Sequence, residues 1–180
     1  SARSKFGYSV AVSGNTAVVG GIGDSDNNGA VYVFVRNGSG WTQQQKLRAS
    51  NTNGGDIFGC SVAIAGETIV VGAVGESSGS DGVNGDQFEN RANNAGAAYV
   101  FTRTGVTWSQ QAYLKASNSD GGDLFGYSVA IAGETIIVGA YAENSGSNEV
   151  NGNQADNSVN DAGAAYVFTR NGNTWSQQAY

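Results

Sequence analysis

The sequence predicts an all-β protein made of three consecutive units, each with four short antiparallel strands, and three observations carry this prediction. The stretch from Phe58 to Ala73 returns almost unchanged from Phe125 to Ala140 and, more loosely, from Phe6 to Gly21. A tyrosine and a tryptophan also recur at intervals of 67 residues, at Tyr99, Tyr166, Trp41, Trp108 and Trp175. The composition, with 28 glycines, no proline and many Ser, Asn, Thr and Val residues, suits a turn-rich β protein. We therefore interpret the chain as a repeat array.

The first half of the middle unit predicts two strands. Ser61–Ala65 alternates larger and smaller side chains and is followed by a tight turn at Gly66-Glu67. Thr68–Ala73 is apolar on both faces, as expected of a strand that is sandwiched between neighbouring layers. A long polar loop, residues 74–95, then leads to the second half of the unit.

The second half of the unit predicts a hairpin. Ala97–Arg103 alternates as a strand does and leads into Thr104-Gly105, which is Asn-Gly in the other two units. Asn-Gly favours a type I′ turn, because both central residues of that turn have positive φ. The fourth strand is predicted at Trp108–Ala116. We expect one of its faces to carry Trp108, Ala112 and Leu114 and the other to carry Tyr113 and Lys115.

Four antiparallel strands that recur every roughly 50–67 residues are typical of β-propeller blades. One blade cannot bury both of its faces alone, so successive blades are expected to stack through their Val, Ile and Ala faces. The blades are predicted at residues 1–57, 58–124 and 125–180. The third is expected to be truncated in its fourth strand, because Tyr180 aligns with Tyr113 and nothing aligns with Leu114. A closed propeller needs at least four blades, so we expect part of a larger propeller or one completed by other copies.

The composition excludes several functional classes. A net charge of −6 argues against nucleic acid and anionic membrane surfaces as partners, since both select basic proteins. No apolar run approaches the roughly 20 residues that cross a bilayer, so membrane insertion is not expected. The chain has no histidine, which removes Ser-His and Cys-His nucleophilic systems, and Cys60 has no partner within the chain for a disulfide. We do not expect an enzyme; a carboxylate pair for glycoside hydrolysis is the alternative that remains.

The acidic residues are distributed unevenly over the predicted blade. In an up-and-down blade the first and third turns lie at one end, and the long loops and the connectors between blades lie at the other. Only Glu67 and Glu134 are predicted at the first end. The other end is predicted to carry Asp24, Asp26, Asp56, Glu76, Asp81, Asp86, Glu89, Asp120, Asp123, Glu143, Glu149, Asp156 and Asp161. This end is therefore where we expect binding.

Calcium is one hypothesis for these acids, because hard cations take oxygen ligands from carboxylates and amides. The segment 24–29 has the D-x-D-x-N-G spacing of a calcium loop, but no later acidic ligand follows it. The predicted metal ligands are Asp24, Asp26, Asn28, Glu76, Asp81, Asp86, Glu143, Asp156 and Asp161. The alternative is a set of solvated loops in which Asp and Asn are favoured for their turn geometry alone.

A second hypothesis makes the same end a docking surface for a protein or a glycan, since loops on a rigid scaffold commonly carry binding residues. Phe88, Glu89 and Tyr141 lie in or beside the long loops and are the predicted ligand contacts. The alternative is that both aromatic side chains pack against their own blade.

The recurring motifs resemble those of the FG-GAP repeat, the blade unit of integrin α-subunit propellers and of many bacterial surface proteins. Its FG matches Phe6-Gly7, Phe58-Gly59 and Phe125-Gly126. Its VGA matches Val19-Gly20-Gly21, Val71-Gly72-Ala73 and Val138-Gly139-Ala140. The proline that closes the family motif is replaced here by Ile22, Val74 and Tyr141. The phrase Trp-Ser-Gln-Gln-Ala-Tyr looks like the bacterial branch.

The resemblance implies an adhesive, ligand-binding or scaffolding module at the cell surface or outside a bacterial cell. The integrin-type calcium loop between the first two strands is missing, since only short turns such as Ala65-Gly66-Glu67 stand there. The sequence thus predicts a non-enzymatic binding module with an acidic loop face, supported by calcium if the loops bind it. The alternative is a structural protein that forms a ring or filament when strand edges of different copies pair.

Overall fold

The computed structural model describes residues 4–25 and 27–180 and contains three four-stranded antiparallel sheets. The first sheet holds β1 (Phe6–Ser13), β2 (Thr16–Gly21), β3 (Ala30–Asn37) and β4 (Gly40–Leu47). The second holds β5 (Ser61–Ala65), β6 (Thr68–Ala73), β7 (Ala97–Thr104) and β8 (Thr107–Leu114). The third holds β9 (Phe125–Ala132), β10 (Thr135–Ala140), β11 (Ala164–Asn171) and β12 (Thr174–Ala179). The predicted all-β blade architecture is confirmed, and the described residues include no helix that could cross a membrane.

The hairpin turns differ from the prediction in type. In the β3–β4 turn and its two counterparts, positive φ is confined to the first central residue, which is Gly38, Gly105 or Gly172. A two-residue loop with positive φ at its first position is a type II′ turn, which places glycine there. The type I′ prediction is wrong because the asparagine before the glycine is the last paired residue of the strand and not a turn residue.

The fourth strand of the second sheet contains an irregularity that moves one side chain to the other face. Val100 pairs with Ala112 and Phe101 pairs with Gln110, so Gln111 is an extra residue. As a result Trp108 packs in the core toward the first sheet, whereas Ala112 and Leu114 pack toward the third. The prediction that placed Trp108 with Ala112 and Leu114 was therefore wrong.

Two apolar cores lie between the three sheets. The first core joins Val18, Val31 and Val33 of the first sheet to Phe58, Ile69, Val71, Tyr99 and Trp108 of the second. The other core joins Val70, Ala98, Val100 and Leu114 of the second sheet to Phe125, Ile136, Tyr166 and Trp175 of the third. The middle sheet thus buries both of its faces, which is the arrangement predicted from the two-sided apolar pattern of Thr68–Ala73.

Each joint between sheets is closed by a Phe-Gly pair from the following sheet. Phe58 and Phe125 are fully buried, and the carbonyl of the glycine after each accepts a hydrogen bond from a serine of the preceding sheet. The close approach requires glycine on the other side as well, because a Cβ on Gly72 would overlap the carbonyl oxygen of Gly126. The two repeated motifs therefore contact each other: the Phe-Gly pair of one blade packs against the VGA-type segment of the preceding blade.

Candidate functional site

The topology divides each sheet into two ends. The short turns between the first and second strands and between the third and fourth strands of each sheet lie at one end. This end carries the ion pairs between Glu67 and Arg103 and between Glu134 and Arg170. The opposite end, which we call the loop end, carries the long loops 74–96 and 141–163 and the connectors 48–60 and 115–124. The sheets therefore carry their long loops on one side of the molecule, where the predicted metal residues and the predicted contacts Phe88 and Glu89 are found; Asp26 lies outside the described residues.

One acid of each blade follows the second strand and is buried at the loop end: Asp24, Glu76 or Glu143. Glu76 and Lys115 are both fully buried, and the Lys115 Nζ lies 3.2 Å from the Glu76 Oε2. The Asn51 Nδ2 and the Ser78 amide donate to the Glu76 Oε1 at 3.2 and 3.1 Å. The carboxylate is thus surrounded by protein donors.

The equivalent acids of the other blades are also held by protein donors, although not all of these donors stand at equivalent positions. Glu143 accepts hydrogen bonds from the Asn118 Nδ2 at 3.0 Å and from the Tyr180 hydroxyl at 3.1 Å. Asp24 accepts from the Lys46 Nζ at 2.8 Å and from the Tyr32 hydroxyl at 2.5 Å. Burial alone would raise the pKa of Asp24, but these hydrogen bonds outweigh it and hold the pKa well below its ordinary value.

The donors around these three buried acids are ammonium, guanidinium, hydroxyl and amide groups, and those of Asn51 and Asn118 come from the connectors between blades. In the part of the chain that the structure describes, no group of three or more acidic or cysteine side chains lies close enough to hold a metal ion. Calcium ligation by the remaining residues, Asn28, Asp81, Asp86 and Asp156 among them, stays a prediction.

Asp123 lies in the connector before the third sheet and is buried, and its Oδ2 accepts a hydrogen bond from the Asp120 amide at 2.9 Å. Burial raises the pKa of Asp123 to about 6, and the negative charges of Asp120 and Glu143 act in the same direction. Between about pH 4 and pH 6 the folded chain therefore holds a proton at Asp123 that the unfolded chain has released.

We expect this group to make the folded chain less stable as the pH rises through that window. The change of pKa from 3.8 to about 6 corresponds to roughly 3 kcal/mol at pH 7. Asp123→Asn keeps the acceptor oxygen and removes the titration, so its urea midpoint should depend less on pH between 4 and 7. Glu149→Gln, at an exposed site, is the control. Parallel pH profiles of Asp123→Asn and the unmodified chain would contradict the prediction.

The exposed and half-buried acids form a second group, which we call the acidic loop face: Asp81, Asp86, Asp120, Glu149, Asp156 and Asp161. None of them forms an ion pair with a lysine or arginine of the described residues. Asp81 accepts a hydrogen bond from the Ser119 amide at 2.8 Å, and Asp120 accepts one from the Asn157 Nδ2 at 2.9 Å. These contacts link the loop of the second blade, the connector and the loop of the third blade into one surface.

The three predicted ligand contacts do not lie together. Phe88 is 72% exposed, and its amide donates to the Asp86 Oδ1 at 3.0 Å. Glu89 is half-buried beside it, paired with Arg91 at 2.8 Å, at a depression of about 330 Å³. Tyr141 instead stacks on Tyr127 at a ring separation of 5.0 Å, on the open face of the third sheet. Phe88 and Glu89 therefore border the acidic loop face, and Tyr141 belongs to a different surface.

Sequence reasoning missed the connector residues that join the blades at the loop end. The Asn51 Oδ1 accepts a hydrogen bond from the buried Tyr99 hydroxyl at 2.7 Å, and Asn118 and Tyr166 repeat the contact at 2.8 Å. The signal that could have found them is their recurrence in register.

Cys60 lies half-buried in the second joint, where burial raises the pKa of its thiol to about 11.

The comparison with known families agrees with this geometry. The family model of the FG-GAP repeat matches residues 1–34, 41–101 and 108–168. No individual curated protein was found to match the chain. The matched segments contain the Phe-Gly pairs and the VGA-type segments that build the joints between sheets. On this match over most of its length, the chain belongs to the FG-GAP repeat family.

Proposed function

We propose that the protein is a non-enzymatic binding module and that the acidic loop face is its binding surface. The observation that carries the proposal is that the loops and connectors of the loop end carry six exposed or half-buried carboxylates, none of which is paired with a cationic side chain of the described residues. The buried acids of the same end accept hydrogen bonds inside the fold, whereas these six lie at the surface. Carboxylates held on loops of a rigid scaffold are suited to contact a partner.

The chemistry of this surface favours a protein partner with clustered lysine or arginine side chains. Charged groups of opposite sign steer such an encounter and fix its orientation. Phe88 adds an exposed aromatic ring beside the acids, which is the residue type that provides apolar contact area at interfaces. A glycan that stacks on Phe88 is the second candidate, favoured by the same exposed ring. The adhesive members of the family support a location at the cell surface or outside the cell.

The test uses an oligolysine peptide as the probe and isothermal titration at low ionic strength. The double variant Asp81→Asn and Asp120→Asn removes two charges from the acidic loop face and keeps the acceptor oxygens of both side chains. We expect it to weaken binding about tenfold, which corresponds to roughly 1.4 kcal/mol. Glu67→Gln with Glu134→Gln removes the same charge from the opposite end and is the matched control.

If both double variants weaken binding equally, the peptide responds to net charge alone and the proposed surface is wrong. If neither weakens it, the acidic loop face does not bind the probe at all. The titration is repeated with calcium and with a chelator. Calcium held by the loops would lower the affinity for oligolysine and raise the melting temperature, and no change in either quantity would contradict the calcium prediction.

A further inference from the structure

The face of the sheet that carries the Phe-Gly pair is buried in the second and third blades and exposed in the first. Phe58 and Phe125, which open the second and third blades, are fully buried, whereas the equivalent Phe6 of the first blade is 53% exposed. Trp175 of the third blade is buried, but Trp41 of the first is 48% exposed. The first sheet thus presents the same side chains that the other two sheets use to dock on a preceding sheet.

The complementary face is exposed on the third sheet. In the two joints, the Ser9 Oγ donates to the Gly59 carbonyl and the Ser61 Oγ donates to the Gly126 carbonyl, each at 2.7 Å. Ser128 is their counterpart in the third blade, and it lines an open cavity of about 590 Å³ with Gly139, Tyr141 and Gly163. The neighbouring Ile137 is 46% exposed, whereas the equivalent Val70 is fully buried. The cavity has the position that a Phe-Gly pair fills in the other joints.

The backbone carbonyl that accepts a hydrogen bond from the docked phenylalanine in each joint has an equivalent in the third blade. The Phe58 amide donates to the Asn28 carbonyl at 3.0 Å, and the Phe125 amide donates to the Ala95 carbonyl at 2.9 Å. The equivalent acceptor in the third blade is the carbonyl of Ala162, which also lines the cavity.

The first blade already holds the backbone conformation of a docked blade. The residue before each docked phenylalanine has positive φ, at 58° for Ile57 and 57° for Leu124. Lys5, before Phe6, has a φ of 49°. Because positive φ is uncommon for side chains of this size, the shared conformation indicates a segment shaped for the same contact.

The tryptophans and glutamines follow the same pattern. The Trp108 Nε1 donates to the Gln44 Oε1, and the Trp175 Nε1 donates to the Gln111 Oε1, each at 2.9 Å. In each case the acceptor belongs to the fourth strand of the preceding sheet. Trp41 and Gln178 are the exposed donor and acceptor of this series.

We propose that the first sheet of one copy docks on the third sheet of a second copy, head to tail, through the joint that links the sheets within the chain. The head face is Phe6, Gly7, Val10, Val12 and Trp41. The tail face is Ser128, Ile137, Gly139, Tyr141, Ala162, Gly163 and Gln178. A second copy is the occupant because the head face carries in register the Phe-Gly carbonyl, the amide donor and the indole that the tail face is built to receive. Asp161 of the acidic loop face also lines the cavity of the tail face, so the two surfaces adjoin there.

The outer strand edges are less suited to join two copies. The Asn84 Oδ1 accepts a hydrogen bond from the Tyr113 amide at 2.9 Å, and the Asn84 amide donates to the Tyr113 carbonyl at 2.8 Å. Asn151 makes the same two contacts with Tyr180 at 3.1 and 3.0 Å. One end of the outer edge is thus covered by the chain's own loops in two of the sheets, which favours docking through faces. A contact between unlike faces gives a ring or a filament.

The test measures the molar mass of the chain in solution by light scattering over a wide range of protein concentration. A monomer has a mass of 18.4 kDa, and we expect the average mass to rise to at least twice that value as the concentration increases. A mass that stays at the monomer value throughout would overturn the proposal.

Two single variants block one face each. Val10→Glu places a charge on an exposed site of the head face. Gly139→Ala adds a Cβ that crowds only the flexible side chain of Ser128 among the described residues, whereas the same change at Gly72 would overlap a docked backbone carbonyl. Each variant should remain monomeric, but an equimolar mixture should form a dimer and stop there, because one intact head meets one intact tail. Val106→Glu, an exposed site in a hairpin turn, is the control and should assemble like the unmodified chain.

Three outcomes contradict docking through these faces: assembly by either single variant as by the unmodified chain, a mixture that stays monomeric, or loss of assembly in Val106→Glu. Circular dichroism shows whether each variant folds. Should one of them unfold, Trp41→Gln replaces the head variant and Ile137→Glu replaces the tail variant, with the same expected masses.

Discussion

Lys115→Met is expected to destabilise the folded chain by about 3–5 kcal/mol, because it leaves the charge of Glu76 buried without a partner. The Lys115 Nζ donates to the Glu76 Oε2 at 3.2 Å and to the Gly96 carbonyl at 2.7 Å, and both side chains are fully buried. Burial lowers the pKa of Lys115, and the adjacent Glu76 carboxylate opposes that effect. The shift of the guanidinium chloride midpoint, together with the slope of the transition, measures the loss of stability.

Two further variants separate the lost charge from lost packing. Adding Glu76→Gln to Lys115→Met should restore a large part of the stability, since removing both charges of a buried pair costs far less than removing one. Glu67→Gln breaks an ion pair whose carboxylate is largely exposed, and it should cost no more than about 1 kcal/mol. The account fails if Lys115→Met is no more destabilising than Glu67→Gln.

Phe125→Ala is expected to cost about 3–5 kcal/mol, whereas Phe6→Ala should cost much less. The two phenylalanines make the same contacts within their sheets: ring separations are 5.3 Å to Tyr166 and 5.3 Å to Tyr32, respectively. They differ in that Phe125 is also covered by the preceding sheet. The comparison therefore isolates the contribution of the joint between sheets.

The free energy of unfolding of both variants is measured by urea titration at a concentration where light scattering shows a monomer. At that concentration no second copy covers Phe6, so the measured loss reflects contacts within the chain alone. Equal losses for Phe6→Ala and Phe125→Ala would mean that contacts within the sheet, and not the joint, account for the stability that this motif provides.

Much of the fold was predictable because the same strand pattern recurs in all three units of the sequence. The strands Ser61–Ala65 and Thr68–Ala73 have the bounds that their apolar pattern predicts. The position of Trp108 was not predictable, because the extra residue at Gln111 reverses the alternation and no residue type marks it. The turn type was misassigned because Asn-Gly specifies a turn only when both residues lie outside the strands.

The candidate site was only partly predictable. The sequence places the acids at the loop end, but it does not separate the buried Glu76 from the exposed Asp81. The partner of Glu76 is Lys115, which a full hairpin separates from it, so no local spacing reveals the pair. Recurrence is the usable signal: Glu76 has an acidic counterpart in Glu143, whereas the residue equivalent to Asp81 is Asn148.

The burial of the middle sheet on both faces has a consequence for how the chain unfolds. Among the described residues the apolar cores join each sheet to its neighbours in sequence, so these sheets form a one-dimensional array whose stability is the sum of sheet and joint contributions. Opening an outer sheet breaks one joint, but opening the middle sheet breaks two. Local unfolding should therefore begin at the outer sheets and proceed inward, and the amide hydrogens of β6 and β7 should exchange with solvent last.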